Sequence, residues 1–310
     1  MHSLRGVNVA MVFDTETIPQ ASALASAVGE VEAICDLLDA GPDACDPAAV
    51  EAATEGVRAQ TKTGWRYGRT KDPAKLYESL KADYDEMMGR LSKECALDPL
   101  RARVVAFSLA MVNYDAAGVP EIIDECVCSC DFEGGAENYD SDDIEARLIS
   151  KGFDILRHAD GIATWNGNNF DCALLRVRAA LSGVECPKSI IGARRHSYYP
   201  HADLMDFLAG QQRYFGLNAA CGLWGIGRGK GGMDGGQVAQ FIDEGRWEEV
   251  REYCRQDSTD RLLPLLVAFA PVIPGWNEWG KRARLALAEH LKLTPQTWRQ
   301  WAEARDKAGQ

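Results

Sequence analysis

Residues 7–13 form an apolar run of strand length, rich in β-branched side chains, and Thr15-Glu16-Thr17-Ile18-Pro19 then breaks the pattern. Further strands are predicted at residues 103–113, 121–130 and 161–164. Leu174, Leu175, Val177 and Leu181 recur at helical spacing after the last of these, and so do Trp247, Val250, Tyr253, Cys254, Leu262, Leu263 and Leu266 within a long amphipathic helix over residues 246–270. Between the first two strands the period is helical. Leu76, Tyr77, Leu80, Tyr84, Met87, Met88 and Leu91 line one helix over residues 74–95, and Gly41-Pro42 and the glycines of residues 64–68 break the patterns before it. The expected organisation is one α/β domain, residues 1–270, with a helical insertion at about 20–99 and a helical tail over 271–310.

Polar residues stand where these elements end. Asp14 and Glu16 close the first strand, and an Asp-x-Glu in extended chain points both carboxylates to one face, where they can share a cation. Asp171 ends the turn Trp165-Asn166-Gly167-Asn168-Asn169-Phe170 and falls in the first turn of the next helix. Tyr253 and Asp257 are i and i+4, which sets phenol and carboxylate one helical turn apart. Each feature alone has an ordinary explanation, such as charge compensation at a helix N-terminus for Asp171. Together and in order they form a carboxylate set suited to a two-metal nuclease.

With these three motifs on view, the chain resembles the DEDD superfamily of 3′-5′ exonucleases, tyrosine subtype, and within it proteins related to the proofreading domain of family B DNA polymerases. Phe13-Asp14-Thr15-Glu16-Thr17 is similar to the first motif, residues 166–171 to the second, and Tyr253-Cys254-Arg255-Gln256-Asp257 to the third. Ala96-Leu97-Asp98-Pro99, His201-Ala202-Asp203-Leu204-Met205-Asp206 and residues 229–235 are similar to stretches of the same subgroup. The resemblance spans residues 5–270. It implies a ribonuclease H-like fold, a mixed β-sheet flanked by helices.

The implied chemistry agrees with the residue types, because oxygen ligands suit Mg²⁺ or Mn²⁺. Two such ions, about 3.5–4 Å apart, would generate the nucleophile and steady the leaving oxygen. The resemblance makes Asp14 the bridging ligand, adds Glu16 and Asp257 at one ion and Asp171 at the other, and has Tyr253 position the attacking water. A phenol with a pKa near 10 is a poor base at neutral pH. The implied activity releases nucleoside 5′-monophosphates from single-stranded or frayed 3′ ends of DNA. An RNA 3′-5′ exonuclease is the alternative within the enzyme class, and a non-catalytic DNA-binding or replication accessory protein the alternative outside it. No stretch resembles a polymerase, so proofreading within one chain is not expected.

Candidate substrate contacts are Thr15, Trp165, Asn166, Asn169 and Phe170 around the first two motifs, and Arg195 and Tyr198 in a segment mixing cationic and aromatic side chains. That segment also reads as a solvated loop, and Phe170 as a core residue. Lys230 lies in the glycine-rich residues 225–236, which could wrap a phosphate through backbone amides. The Gly-Lys-Ser/Thr ending of an ATP-binding loop is missing.

Composition narrows the partners. A formal charge of −12 over 310 residues argues against a protein that coats nucleic acid, although metal ions can offset carboxylates where a scissile phosphate sits. Ten cysteines show no zinc-type spacing, and Cys126, Cys128 and Cys130 alternate as buried thiols on one strand face would. No secretory segment and no run of 18 apolar residues is present, so the expected setting is the cytoplasm, without membrane contact. Residues 276–310 reverse the charge balance, with seven Lys/Arg against four Asp/Glu. Their helical patterns, around Ala288 and Leu291 and then Trp298 and Trp301, resemble a helix-turn-helix with Arg299 among its DNA-facing residues, although Lys292 stands at the usual glycine of the turn. A helical hairpin packed on the catalytic domain is the other reading.

Overall fold

Five strands form a sheet in the order β3-β2-β1-β4-β5, where β1 is Ala10–Pro19, β2 Ala102–Tyr114, β3 Pro120–Cys128, β4 Gly161–Thr164 and β5 His201–Asp203. The structure is a computed structural model that describes residues 9–28, 31–55, 71–114, 120–133, 136–191, 197–210, 216–226, 233 and 235–293. β1 runs parallel to β4 and β4 to β5, whereas β2 and β3 are antiparallel. Helices flank this mixed sheet, which is the α/β architecture the resemblance implied.

Strand parity sorts β1 between two layers. Ala10 and Val12 belong to a core with Ala110, Val112, Ala163, Ala202, Leu262, Leu266, Trp276 and Trp279. Residues of opposite parity face the other layer, where Phe13 stacks on Phe107 at 5.6 Å. A methyl at Gly152 would come within 3.0 Å of the Phe107 ring, so α5 (Asp142–Leu156) passes directly over it. Glu145 of α5 accepts from the Val104 amide at 2.8 Å and pairs with buried Arg178 of α6 (Asp171–Ser182), tying both helices to β2.

β1 is longer than the apolar run suggested and continues through Thr15, Thr17 and Ile18 to Pro19. These three side chains are buried and β-branched, so they serve a strand covered on both faces although two carry hydroxyls. The expected long helix over residues 246–270 is also corrected. It comprises α9 (Trp247–Arg255), a π-helical stretch over Gln256–Leu262, and α10 (Leu263–Phe269). Pro264 supplies the reason, because it cannot donate an amide to the turn before it and the ladder must rearrange there.

Residues Ile18–Ala102 form a compact unit separate from 1–17 and 103–310. Within it Val31, Ile34, Val50, Leu76, Leu80 and Met87 make a core for α2 (Glu32–Asp39), α3 (Pro47–Thr54) and α4 (Pro73–Ala96). Asp46 and Asp72 cap α3 and α4, each with proline at the first helical position, which satisfies amides that have no partner inside the helix.

At the other end, α11 (Asn277–Leu287) buries Trp279, Gly280, Ala283 and Leu287 in the same core as β1. Lys292 then adopts a left-handed conformation, φ 51°, at the position where the helix-turn-helix resemblance asks for glycine. Residues 294–310, which hold Trp298, Arg299 and Trp301, lie outside the described residues. Among the described residues no helix is long and apolar enough to cross a membrane.

Candidate active site

The parity that buries Ala10 and Val12 carries Asp14 and Glu16 to the same side of the sheet as the helix after β5. Asp14, Glu16 and Cys254 of α9 each offer a ligand atom, and these atoms all lie within 4.8 Å of one another. Thr15 points the other way, and its hydroxyl donates to Asp171 Oδ1 at 2.6 Å. β1 therefore holds carboxylates on both sides of its end, two of its own and one fastened through Thr15. That fastening places Thr15, 6% exposed, as an anchor for Asp171.

Asp171 is itself set by a turn with little freedom. Asn166 takes φ 63°, a left-handed conformation that asparagine tolerates. A Cβ on Gly167 would come 2.1 Å from Thr164 Oγ1, so only glycine fits there. Buried Asp203 grips the turn, accepting from the amides of Asn166 at 3.0 Å and Asn168 at 2.9 Å while capping α7 (Leu204–Ala209). Thr164 Oγ1 also lies 2.7 Å from His201 Nε2, and burial pushes the His201 pKa down to about 3, which keeps the ring neutral.

The crowding is visible electrostatically. Burial, then the charges of Glu16 and Asp171, hold the Asp14 carboxyl well above its ordinary range, and Arg261 pulls the other way. Burial raises Asp171 to about 6, against the stabilising hydroxyl of Thr15. Carboxylates gathered with so little compensating charge are a fit donor set for hard divalent cations.

Tyr253 and Asp257 sit where α9 passes into the π-helical stretch. Asp257 forms an ion pair with buried Arg261, whose charge also reaches Asp14, so Arg261 links the third motif to the first. The π turn is held to the sheet by Ser258 against Ser108 of β2. Tyr253 lines a cavity of about 550 Å³ with Met233, Phe241, Glu252 and Gln256, and its phenol oxygen lies 3.9 Å from where a Cβ on Gly235 would be.

Sequence reasoning named the five motif residues but not Arg261, Cys254 or the anchoring by Asp203. The i,i+4 spacing of Asp257 and Arg261 was a usable signal. Among the other substrate candidates, Asn169 is exposed and its amide donates to Asn166 Oδ1 at 2.8 Å, while Phe170 is half-buried at the start of α6. Trp165 packs on the main core. Tyr198 is a correction. It precedes β5, at the opposite end of the parallel strands from Asp171, packs on Phe207 at 5.5 Å, and its carbonyl accepts the Trp276 indole N–H. Arg195 and Lys230 lie outside the described residues.

Residues 101–266, more than half of the chain, match the family model of the predicted 3′-5′ exonuclease related to the exonuclease domain of PolB. The match takes in Asp171, Tyr253 and Asp257 and begins after Asp14 and Glu16. A solved structure to which the chain is similar is the family B DNA polymerase from the hyperthermophilic archaeon Pyrobaculum calidifontis, at 19% identity and a TM-score of 0.40, covering 64% of this chain and 28% of that one. No curated protein matches the chain. By the extent of the family match, this chain belongs to the predicted 3′-5′ exonucleases related to the exonuclease domain of PolB.

Proposed function

We propose that the protein is a two-metal-ion 3′-5′ exonuclease that removes nucleoside 5′-monophosphates from single-stranded or frayed 3′ ends of DNA. The observation that carries this reading is the pair Asp14 and Glu16 at the end of β1 with Asp171 fastened to that end through Thr15, the Asp14 carboxyl being raised by burial and then by the charges of Glu16 and Asp171. A fold uses so unfavourable a cluster when a cation is to be bound. Asp14, Glu16, Asp171 and Asp257 would hold two Mg²⁺ or Mn²⁺ ions. When bound, such ions supply a nucleophilic water at neutral pH and neutralise charge on the scissile phosphate.

The protein's own groups orient the reaction. Thr15 fixes the Asp171 carboxylate, and Arg261 holds Asp257 in place. Tyr253, at the wall of the 550 Å³ cavity, would donate its phenol proton in a hydrogen bond to the attacking water rather than remove a proton. Met233 gives that cavity an apolar side, the Arg246 guanidinium lies 3.7 Å over the Phe241 ring, and Glu248, Glu249 and Glu252 outnumber that cation in the lining, which disfavours a phosphate there. Asn166, half-buried, and Asn169, exposed, are polar residues of the turn that leads into Asp171.

Incubating matched single-stranded DNA and RNA with the protein and Mn²⁺, then resolving the products by chromatography, tests the chemistry and the sugar preference. The reading predicts mononucleoside 5′-monophosphates from DNA in excess over RNA. Oligonucleotide fragments, 3′-monophosphates or a preference for RNA would count against it.

A further inference from the structure

The thiol of Cys254 has no role in the chemistry above, yet it lies beside two members of the donor set, Asp14 and Glu16. Its sulfur is within 4.8 Å of carboxylate oxygens of both Asp14 and Glu16, and it also donates to the Asp14 backbone carbonyl at 3.7 Å. The side chain has no exposed surface. A thiol beside two carboxylates changes which ion the position prefers, because thiolate sulfur selects zinc-like ions whereas Mg²⁺ takes oxygen in near-octahedral geometry.

We infer that Cys254 makes the Asp14–Glu16 position a mixed oxygen and sulfur site that captures thiophilic divalent ions, Zn²⁺ or Cd²⁺, in competition with Mg²⁺ or Mn²⁺. This rests on the proposed metal reading for the two carboxylates and adds the sulfur to it. With Zn–S near 2.3 Å and Zn–O near 2.1 Å, a tetrahedral ion sets its ligand atoms roughly 3.5 Å apart, so the three groups need to close by about an ångström. Binding converts the thiol to a metal thiolate and releases one proton to solvent, with no redox change. Three protein ligands leave one tetrahedral position for water. The ion so captured sits where Mg²⁺ is needed, which makes trace zinc an inhibitor that chelation removes.

The test is a titration of metal-free full-length protein with Cd²⁺, following thiolate-to-metal charge-transfer absorption, with Zn²⁺ affinity measured by competition against a chelating dye. The wild type is expected to give a band saturating at one equivalent. Cys254→Ser should lose that band and bind Zn²⁺ at least about tenfold more weakly, a loss that even outer partners of metal ligands can cause, while its Mg²⁺ binding, measured by calorimetry, is retained. Glu16→Gln should weaken the same band. Cys126, whose thiol hydrogen-bonds to Cys254, is the control, and Cys126→Ser should keep the band. A band that survives in Cys254→Ser or is indifferent to Glu16→Gln overturns the inference. Should Cys254→Ser fail to fold, Glu16→Gln still decides. A Cys254-dependent band without Mg²⁺-supported hydrolysis defeats the exonuclease reading alone, and hydrolysis without the band defeats this one alone.

Discussion

Asp171 carries a cost to the fold at neutral pH that the proposed reaction would put to use. Burial holds its pKa at about 6, against about 3.9 for an unfolded aspartate, so the native state binds that proton more tightly. The stability this gives is complete below pH 3.9 and is lost as pH rises through 6, on the order of 3 kcal/mol by linkage. His201 runs opposite. Its pKa is pushed down to about 3, so the neutral ring favours folding above the unfolded value near 6.5 and that contribution fades as pH falls. Wild type alone would mix the two effects, and Asp171→Asn separates them. In metal-free protein this variant, which keeps an acceptor for Thr15, should be the more stable at pH 7 by about 1–3 kcal/mol. The advantage should vanish near pH 4, and Mg²⁺ or Mn²⁺ should stabilise the variant less than wild type in thermal melts. Equal metal response in both proteins would remove Asp171 from the site.

Gly167 tests the turn at the same scale. The 2.1 Å approach of a new methyl to Thr164 Oγ1 leaves the turn no relaxed position, so Gly167→Ala should destabilise the fold by a few kcal/mol. Calorimetric unfolding checks this, and an effect under about 0.5 kcal/mol would show that the turn is slack.

Among the elements, the strands were the most legible part of the sequence, because apolar periodicity survives burial. β4 fell on its expected residues and α4 within one residue at each end, whereas β1 ran on past its expected break because Thr15 and Thr17 pack as β-branched residues. β5 has only three residues, too few to show a period, and no strand was expected there, although residues 201–206 were singled out by resemblance. The carboxylates were legible for a related reason, since a strand end or a helix start fixes where a side chain points. Contacts between distant elements were not legible. The Thr15–Asp171 bond spans 156 positions, and no local pattern in the chain announces it. The π-helical winding at Asp257 depends on how Pro264 is accommodated, which a 3.6-residue period cannot express.

α11 gives the element-scale prediction. A Cβ on Gly280 would stand 2.4 Å from backbone atoms of Ala270 and Pro271, which cannot move aside as a side chain could. Gly280→Ala should therefore pry α11 from the core that holds Trp276 and Trp279, lower Tm by several degrees, and raise hydrogen exchange over Asn277–Leu287. Unchanged exchange there would mean that this close packing is not required.

For the whole molecule, a charge of −12 opposes binding of a polyanion, so the proposed substrate would be held at few points and with the help of cations. Binding of a single-stranded oligonucleotide should be weak in EDTA and strengthen with Ca²⁺, a hard ion of the same charge that supports binding. The salt dependence should correspond to only a few phosphates, a log–log slope between about −1 and −3. A slope near −8 would point to an extended cationic track. The carboxylate cluster remains the centre of the account, and it is tested most directly by digesting a 5′-labelled single-stranded DNA with Mg²⁺ or Mn²⁺, beside an EDTA control and the Asp14→Ala protein. The account predicts a ladder that shortens one nucleotide at a time from the 3′ end and is absent in both controls. Degradation that persists in Asp14→Ala, or none in wild type despite bound DNA, would contradict it.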